Sequence, residues 1–585
     1  MTIYHSLLAR GYFPKELPPA FTTELFAEYG ARKLGRSKIA TYSPADNFTE
    51  CTKYQLALPG LDRRELRVPH PVSFARLAEL TAKNFSRLLR KAGASRFSKS
   101  RPVYALGHHR AILPMVKPTN LGRERAAIRA GSCFLLKTDI NQFYPSLYTH
   151  AVGWAVDPQL RSKANWKKTN FLGKQIDQAL MDMDGKVSQG IPIGTDISFL
   201  LAEVVLAAVD KAIKPSPAHS FRWYDDYEFA FETSQEAEVA LKKLNKELAR
   251  YRLRLNTKKT SITRLPSPVQ DEWQETLRQA ARRGFSDPRD MVKYFDTAFR
   301  LRDDFPDANV LAFTLGHLFK VVSPAADVAR IANSCITQTI LCEPGTAQKA
   351  FALFSFWHLN GLSLDTKLIT STINQVVLRH EARGFSSDVA WALAFCLEQK
   401  VELSSKAAQI LSAFHDDFTA LQALHMHAVG LLPKKFDSNG ISRFIKCADL
   451  DREHWLIAYE SVRHGFLSTC ERAVKKNLVF SDLLGRGVTF YRTALPEYAS
   501  IIHPGGAPEW IVRDWIEALT SKTPRRAKIK RKRKVRDEEP ALLKLMGKDV
   551  ARLKRGKQGK GSPEDVVAKL MDILGPAETR DWGSY

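Results

Sequence analysis

The pattern of apolar and polar positions changes character near Pro266. Before it, short apolar runs alternate with helical patterns and turn signals, which predicts a mixed domain of helices and strands. The run from Cys133 to Thr138 (CFLLKT) has the length and composition of a buried strand, and it ends at Asp139. From Phe221 to Phe231 (FRWYDDYEFAF), large apolar residues alternate on both sides of two adjacent aspartates. That predicts a hairpin with Asp225 and Asp226 at its turn. The loop from Ser188 to Asp196 (SQGIPIGTD) runs into a helical spacing of Ile197, Leu200, Leu201, Val204, Val205 and Ala208, with Thr195 or Asp196 placed to cap the helix. Tyr251 to Thr260 (YRLRLNTKKT) reads as a strand delivering Lys259.

After Pro266 the strand patterns stop. Met291, Tyr294, Phe295 and Ala298 recur at helical spacing, as do Leu311, Leu315 and Leu318, then Ile369, Ile373, Val376 and Val377. Glu343-Pro344-Gly345 and Asn360-Gly361 are among the breakers between them. Residues 266–515 are therefore expected to be many short helices in sequence, with HEAT-like pairing as the candidate arrangement.

Composition adds a polyanionic partner. A 44% hydrophobic content is that of a folded protein, but the net charge is +26. Lys522 to Lys560 holds 17 basic and 4 acidic residues, a net +13. Within it Arg525, Arg526, Lys530, Arg531, Lys532, Arg533 and Lys534 form a block that would bind nucleic acid by neutralising phosphates. Residues 516–585 thus read as a basic tail, with a short amphipathic helix around Pro563 to Leu574. No uninterrupted apolar run approaches the ~20 residues of a membrane span, and the start lacks a signal-peptide pattern. The seven cysteines have no metal-binding or redox spacing and read as buried thiols in a reducing compartment. The expectation is a soluble, cytoplasmic protein with no membrane partner.

The candidate chemistry lies in the first 265 residues. Two neighbouring carboxylates flanked by aromatics are costly unless water or a cation compensates them. Mg2+, with Mn2+ as a substitute, prefers oxygen ligands and is held by one or two carboxylates together with substrate phosphates. Asp139 and Asp225, each at the end of a strand, form the minimal bridging set, with Asp226 as an outer contributor.

In this order the segments resemble the motifs of reverse transcriptases. Phe134 to Ser146 resembles the first carboxylate motif, Gln189-Gly190 the primer-positioning loop, Tyr224 to Tyr227 the double-aspartate turn, and Leu255 to Thr260 the Leu-Asn-x-x-Lys-Thr element. The resemblance implies an α+β fold: a fingers-palm domain over residues 1–265, followed by the all-α helical-repeat-like domain (266–515) and the basic tail (516–585). It implies Asp139, Asp225 and Asp226 as metal ligands and Lys259 as a proton donor to pyrophosphate. Tyr144 would crowd a ribose 2′-hydroxyl, and Gln189 and Gly190 would touch the incoming nucleotide. Fingers elements of the family set basic residues against the triphosphate, for which Lys99, Arg101 and Arg110 are candidates. Arg101 leads because arginine binds phosphate bidentately.

A narrower resemblance rests on Gly11 to Pro19 (GYFPKELPP), Phe143 to His150 (FYPSLYTH) and the helical second half. These are similar to the abortive-infection (AbiK-like), defence-associated bacterial reverse transcriptases. The implied function is an RNA-directed or template-independent DNA polymerase in anti-phage defence. It would add dNTPs to a 3′-hydroxyl or a protein primer, with a homo-oligomer and a non-coding RNA as implied partners. A retron-like enzyme copying a dedicated RNA and a catalytically silent RNA-binding scaffold are the alternatives. Tyr42 and Tyr54 are candidate exposed priming tyrosines. Two departures stand out: Trp223 where the family has tyrosine before its turn, and Gly194-Thr195-Asp196 where many template-copying relatives carry Ser-Pro.

Overall fold

The computed structural model describes residues 2–494 apart from 61, 106–107, 283, 322–323, 384–385 and 447–449. The basic tail with its seven named residues, the helix expected at 563–574 and Cys447 lie outside the described residues.

The architecture mixes helices with three small antiparallel sheets. Thr52–Ala57 (β1) and Arg63–Val68 (β2) form one hairpin, and Pro102–Tyr104 (β3) and Ile112–Pro114 (β4) form another. The third sheet contains Phe134–Thr138 (β5), Ser220–Trp223 (β6), Asp226–Phe231 (β7) and Ser261–Arg264 (β8) in the order β6-β7-β5-β8. β5 is central, and the register pairs Leu136 with Phe229 and Thr138 with Tyr227. The strand at 134–138 and the hairpin at 220–231 form where the apolar alternation places them. Lys259 does not: it lies in the short turn Thr257–Lys259, and the strand begins only at Ser261. The Asn256 side chain accepts from Lys258 N–H and starts that turn, overriding the apolar alternation before it.

The helix Asp196–Ile213 packs against the sheet, its Glu203 and Asp210 bonded to Arg222 on β6 and Tyr227 on β7. Thr195 caps it, its side chain accepting from Ser198 N–H. Fourteen of its eighteen residues are buried. The helix Leu121–Arg129 covers the β6 end through a small separate core of Leu121, Ile128, Phe221 and Trp223. That core gives Trp223 its purpose: the larger ring fills the space under Leu121–Arg129.

From Glu272 to Gly485 every regular element among the described residues is helical. The helices alternate between two rows, as in stacked helical repeats. Glu272–Ala281, Val310–Leu318, Ala347–Leu359, Ser387–Gln399, Asp417–Ala428 and Trp455–Arg463 touch in succession. Pro288–Asp304, Ala326–Cys342, Thr366–Arg383 and Ser405–Leu411 do the same beside them. Met291, Tyr294, Phe295 and Ala298 are buried as their spacing requires.

One continuous core links the N-terminal helices, the sheet and the array. Thr22 N–H donates to Phe490 O at 2.9 Å, next to an antiparallel bridge between Phe21 and Tyr491. The free edge of β1 is satisfied by the array: Gln55 N–H donates to Ser386 Oγ and Ala57 N–H to Ser387 Oγ. An exposed strand edge is thereby closed.

Two expectations are corrected. Tyr42 and Tyr54 are buried, at 7% and 0% exposure, because they face the core that joins the two halves. Cys51, Cys396 and Cys470 are buried, but Cys133 and Cys342 are exposed, since Cys133 precedes β5 and Cys342 ends its helix. No helix among the described residues is long and apolar enough to cross a membrane.

Candidate active site

The strand order brings the sequence-distant carboxylates together. Thr138 on β5 opposes Tyr227 on β7, so Asp139 leaves β5 beside Asp226, and the two-residue turn Tyr224-Asp225 joins β6 to β7 there. Asp139 is buried; its Oδ2 lies 3.0 Å from Lys259 Nζ, and its Oδ1 is buried without a hydrogen-bond partner. Asn256 N–H donates to Asp139 O at 2.8 Å, which fixes the Lys259 turn against the end of β5.

Asp225 and Asp226 are reached by solvent, Asp226 the more openly, yet the protein packed around them dominates their titration. Desolvation first, and then the charges of Asp226 and Asp139, hold the Asp225 carboxyl well above the usual range. The Asp226 carboxyl is pushed up to about 6 by desolvation and by Asp139, against the opposing charges of Lys259 and Arg125. The Asp225 and Asp139 side chains approach within hydrogen-bonding reach. Ionised carboxylates only accept, so that contact is a hydrogen bond only while the pair shares a proton. Desolvation opposes the charge of Lys259, but its bond to Asp139 together with the charges of Asp139, Asp226 and Asp225 outweighs this and raises its pKa.

The turn is held from beneath by a buried ionic network. Arg222 is fully buried; its Nε donates to Asp210 Oδ2 at 2.8 Å and its Nη1 to Glu203 Oε1 at 2.8 Å. Nη1 also donates to Tyr224 O at 2.8 Å, while Ser100 Oγ accepts from Tyr224 N–H at 2.8 Å and donates to Glu203 Oε1 at 2.8 Å. Both backbone groups of Tyr224 are thus fixed. Tyr224 has φ 52°, a conformation costly for an aromatic residue that persists only where its surroundings impose it.

The remaining candidates fall on two sides of the carboxylates. Gln189 makes an antiparallel bridge to Tyr148, Gly190 N–H donates to Leu147 O, and Ile191 N–H donates to Tyr144 O. Gly190 has φ 88°, and a Cβ there would stand 3.3 Å from Pro145 O, so glycine lets the loop lie flat on the Tyr144 segment. Tyr144 is half-buried and close enough to Asp225 for that charge, after desolvation, to raise its pKa. The Gly194-Thr195-Asp196 departure is explained by packing. A Cβ on Gly194 would meet Pro14 Cγ at 2.5 Å, and Asp196 accepts from Arg110 Nε at 2.8 Å and from the backbone N–H groups of Ala111 and Ile112.

Arg110 is therefore an anchor, and Lys99 is paired with Glu124 at 2.7 Å. Arg101 follows Ser100 at the rim of the turn, its Nε buried without a partner. The guanidinium coupled in charge to Asp225 is Arg64 on β2, which the sequence offered only within a basic cluster with Arg63 and Arg67. Desolvation lowers its pKa, while Asp225, Glu16 and Tyr144 act the other way. Its signal was its place in the alternation of β2, opposite Leu56 on β1.

The donor-poor oxygens of Asp139 and Asp225 suit a hard cation. Among the described residues no group of three or more His, Cys, Asp or Glu side chains is drawn together closely enough to hold a metal ion. Any ion here would need water or substrate oxygens to complete its shell.

No protein-family model and no curated protein matches the chain. Among solved structures it is similar to apo telomerase from Candida tropicalis, at 12% identity and a TM-score of 0.30 over 64% of this chain and 73% of that one. It is also similar to telomerase from Candida tropicalis in complex with a TWJ fragment of telomeric RNA (12%, TM-score 0.27, 60% and 64% of the chains). A third is telomerase from Candida albicans in complex with a TWJ fragment of telomeric RNA (13%, TM-score 0.26, 67% and 68%). Likenesses this slight carry no argument about function, which rests on the site itself.

Proposed function

We propose that the chain is a DNA nucleotidyltransferase of the reverse-transcriptase type, adding dNTPs to a 3′-hydroxyl or protein primer. The observation that carries this reading is the convergence of Asp139 and Asp225 from adjacent strands, crowded enough to hold Asp225 well above its usual pKa and leaving Asp139 Oδ1 without a donor. Asp139 and Asp225 would hold Mg2+, with Asp226 beside them; the ion, when bound, stabilises charge that develops on the transferring phosphoryl group. The chain's own groups do the positioning. Arg64 meets the negative triphosphate, Tyr144 and the Gln189-Gly190 backbone bound the sugar and base, and Lys259 holds a proton next to the carboxylates. The test is incorporation of each labelled dNTP by the purified protein with Mg2+, with and without template and primer. No incorporation under any of these conditions would sink the proposal.

Arg64→Ala is expected to raise the KM for dNTP roughly tenfold or more, the scale of a hydrogen bond to a charged group, with a smaller loss in kcat. Arg64→Lys should recover part of it. An unchanged KM in steady-state kinetics would return the triphosphate to Arg101.

The raised carboxyls also set a pH dependence. Asp226 takes up its proton near pH 6, and the Asp225 carboxyl is likewise held well above the ordinary carboxylate range. Protonated carboxyls do not bind cations, so incorporation should fall as pH drops from 8 to 5.5, and extra Mg2+ should partly restore it. A flat profile over that interval would contradict the assignment.

A role in anti-phage defence, a homo-oligomer and a non-coding RNA partner belong to the same proposal. They rest on the resemblance of Gly11 to Pro19 and Phe143 to His150. Sequencing the nucleic acid that copurifies with the protein separates a templated enzyme, which would carry one structured RNA, from an untemplated one.

A further inference from the structure

One strip of surface next to the site has a composition that the proposed transfer chemistry does not use. Between Pro158 and Lys174 the chain has five basic and no acidic residues. The half-exposed rings Trp166, His150, Tyr148 and Trp154 follow one another, with centroids 4.6 Å apart for Trp166 and His150, 4.5 Å for His150 and Tyr148, and 5.9 Å for Tyr148 and Trp154. Three of them carry a cation: Lys174 lies 4.1 Å from the Trp166 centroid, Arg252 4.3 Å from Tyr148, and Arg161 5.3 Å from Trp154.

The strip is built rather than incidental. The fully buried Asp177 accepts from His150 Nδ1 at 2.6 Å and from Lys174 Nζ at 3.4 Å, which fixes a ring and a cation with one carboxylate. Asp157, the nearest acid before the basic stretch, is buried and paired with Arg87. No exposed carboxylate therefore competes for these cations within that stretch. The strip borders the site, because Tyr148 bridges to Gln189 through its backbone. Arg252 lies seven residues before Lys259 on the segment whose Asn256 N–H is bonded to Asp139 O.

Alternating rings and cations with no exposed acid among them are what a single strand of nucleic acid requires: bases stack on rings and phosphates meet cations, largely without regard to sequence. A duplex hides its base faces and offers only phosphates. We propose that the strip from Trp166 to Trp154 binds a single strand of DNA or RNA as it enters or leaves the site beside Gln189. This rests on the nucleotidyltransfer reading for the strand's purpose, but its binding can be measured without any transfer.

The experiment uses the full chain in EDTA without dNTPs, and fluorescence anisotropy with three labelled strands of equal length: oligo-dT, oligo-rU and an abasic DNA. The abasic strand keeps the phosphates and removes the stacking, so it separates this strip from the basic C-terminal residues, which would hold all three alike. The unaltered protein should bind dT or rU at least about fivefold more tightly than the abasic strand. Preference for rU would assign the strip to RNA and preference for dT to DNA. Trp166→Ala should abolish the preference and Trp166→Phe should keep it. Equal affinity for the abasic strand, or a preference that survives Trp166→Ala, overturns the proposal. Should Trp166→Ala lower the melting temperature, photocrosslinking of bromouracil-substituted DNA and RNA strands to the unaltered protein decides. Adducts at Trp166, His150, Tyr148 or Trp154 support the strip, and adducts confined to residues 522–560 refute it. Intact base preference in a protein that incorporates no nucleotide would leave the strip standing while removing the polymerase reading.

Discussion

Asp225→Asn is expected to lower deoxynucleotide incorporation by on the order of 10³-fold or more while raising the melting temperature of the metal-free protein at neutral pH. The loss follows because asparagine keeps the shape of the side chain but removes the charge through which Asp225 and Asp139 together would hold a cation. The gain follows from linkage. The folded-state pKa of Asp225 is raised, so its contribution to stability is present below the ordinary value near 3.8 and is lost as pH rises through the folded value. At neutral pH the native state therefore bears the cost of this crowding, either as charge or as the proton that Asp225 takes up, and Asp225→Asn relieves it. Near pH 3, below the ordinary value, the aspartate is largely neutral in both states and the two melting temperatures should converge. With millimolar Mg2+ the order should narrow or reverse, because only the native carboxylates gain from the ion. Melting scans at pH 7.5 and pH 3, with and without Mg2+, check this. A drop in melting temperature for the metal-free variant at pH 7.5 would show that Asp225 is a structural acceptor and not a carboxylate kept at a cost.

The paired behaviour explains why this part of the molecule was legible in the sequence. A strand ending in Asp139 and a hairpin turning at Asp225 are local patterns, each set by a few apolar neighbours, and antiparallel pairing of β5 with β7 then brings the acids together. What supports them was not legible, because it depends on register between distant elements. The helix Asp196–Ile213 reads as an apolar stripe, yet Glu203 and Asp210 interrupt it seven residues apart, two helical turns, and so share a face. Arg222 likewise interrupts an apolar strand. Two acids on one helical face and one arginine in a strand were a signal of an internal ion network, visible but uninterpretable until the helix was laid against β6. Arg64 could not be singled out from Arg63 and Arg67 for a related reason. Three arginines lie within β2, and only the pairing with β1 decides which one faces the carboxylates. The exposure expected of Tyr42 and Tyr54 failed because the surface that covers them comes from the helical half.

Arg222→Met should be among the most damaging single changes in the chain, costing about 3–5 kcal/mol, because it leaves Glu203 and Asp210 buried without their cation. Glu203 would retain Ser98 and Ser100, and Asp210 would retain Tyr227, but hydroxyl donors do not offset two buried charges. The urea midpoint of the variant should fall accordingly. The triple change Arg222→Met, Glu203→Gln, Asp210→Asn removes the charges together and should recover much of that stability, since buried ion sets are costly to break and often cheap to replace as a whole. Incorporation should not recover with it. Arg222 Nη1 is the donor to Tyr224 O, and without it the strained residue before Asp225 loses one of its two backbone restraints. A shift of even 1 Å in a positioned group can cost on the order of 10²-fold in rate. Wild-type turnover in a stable triple variant would reduce Arg222 to a packing residue, and an unchanged urea midpoint in Arg222→Met would show that the charges are not buried together at all. Stability regained without activity would instead separate the two roles of one side chain: neutralising the acids of the helix Asp196–Ile213, and holding the turn that presents Asp225.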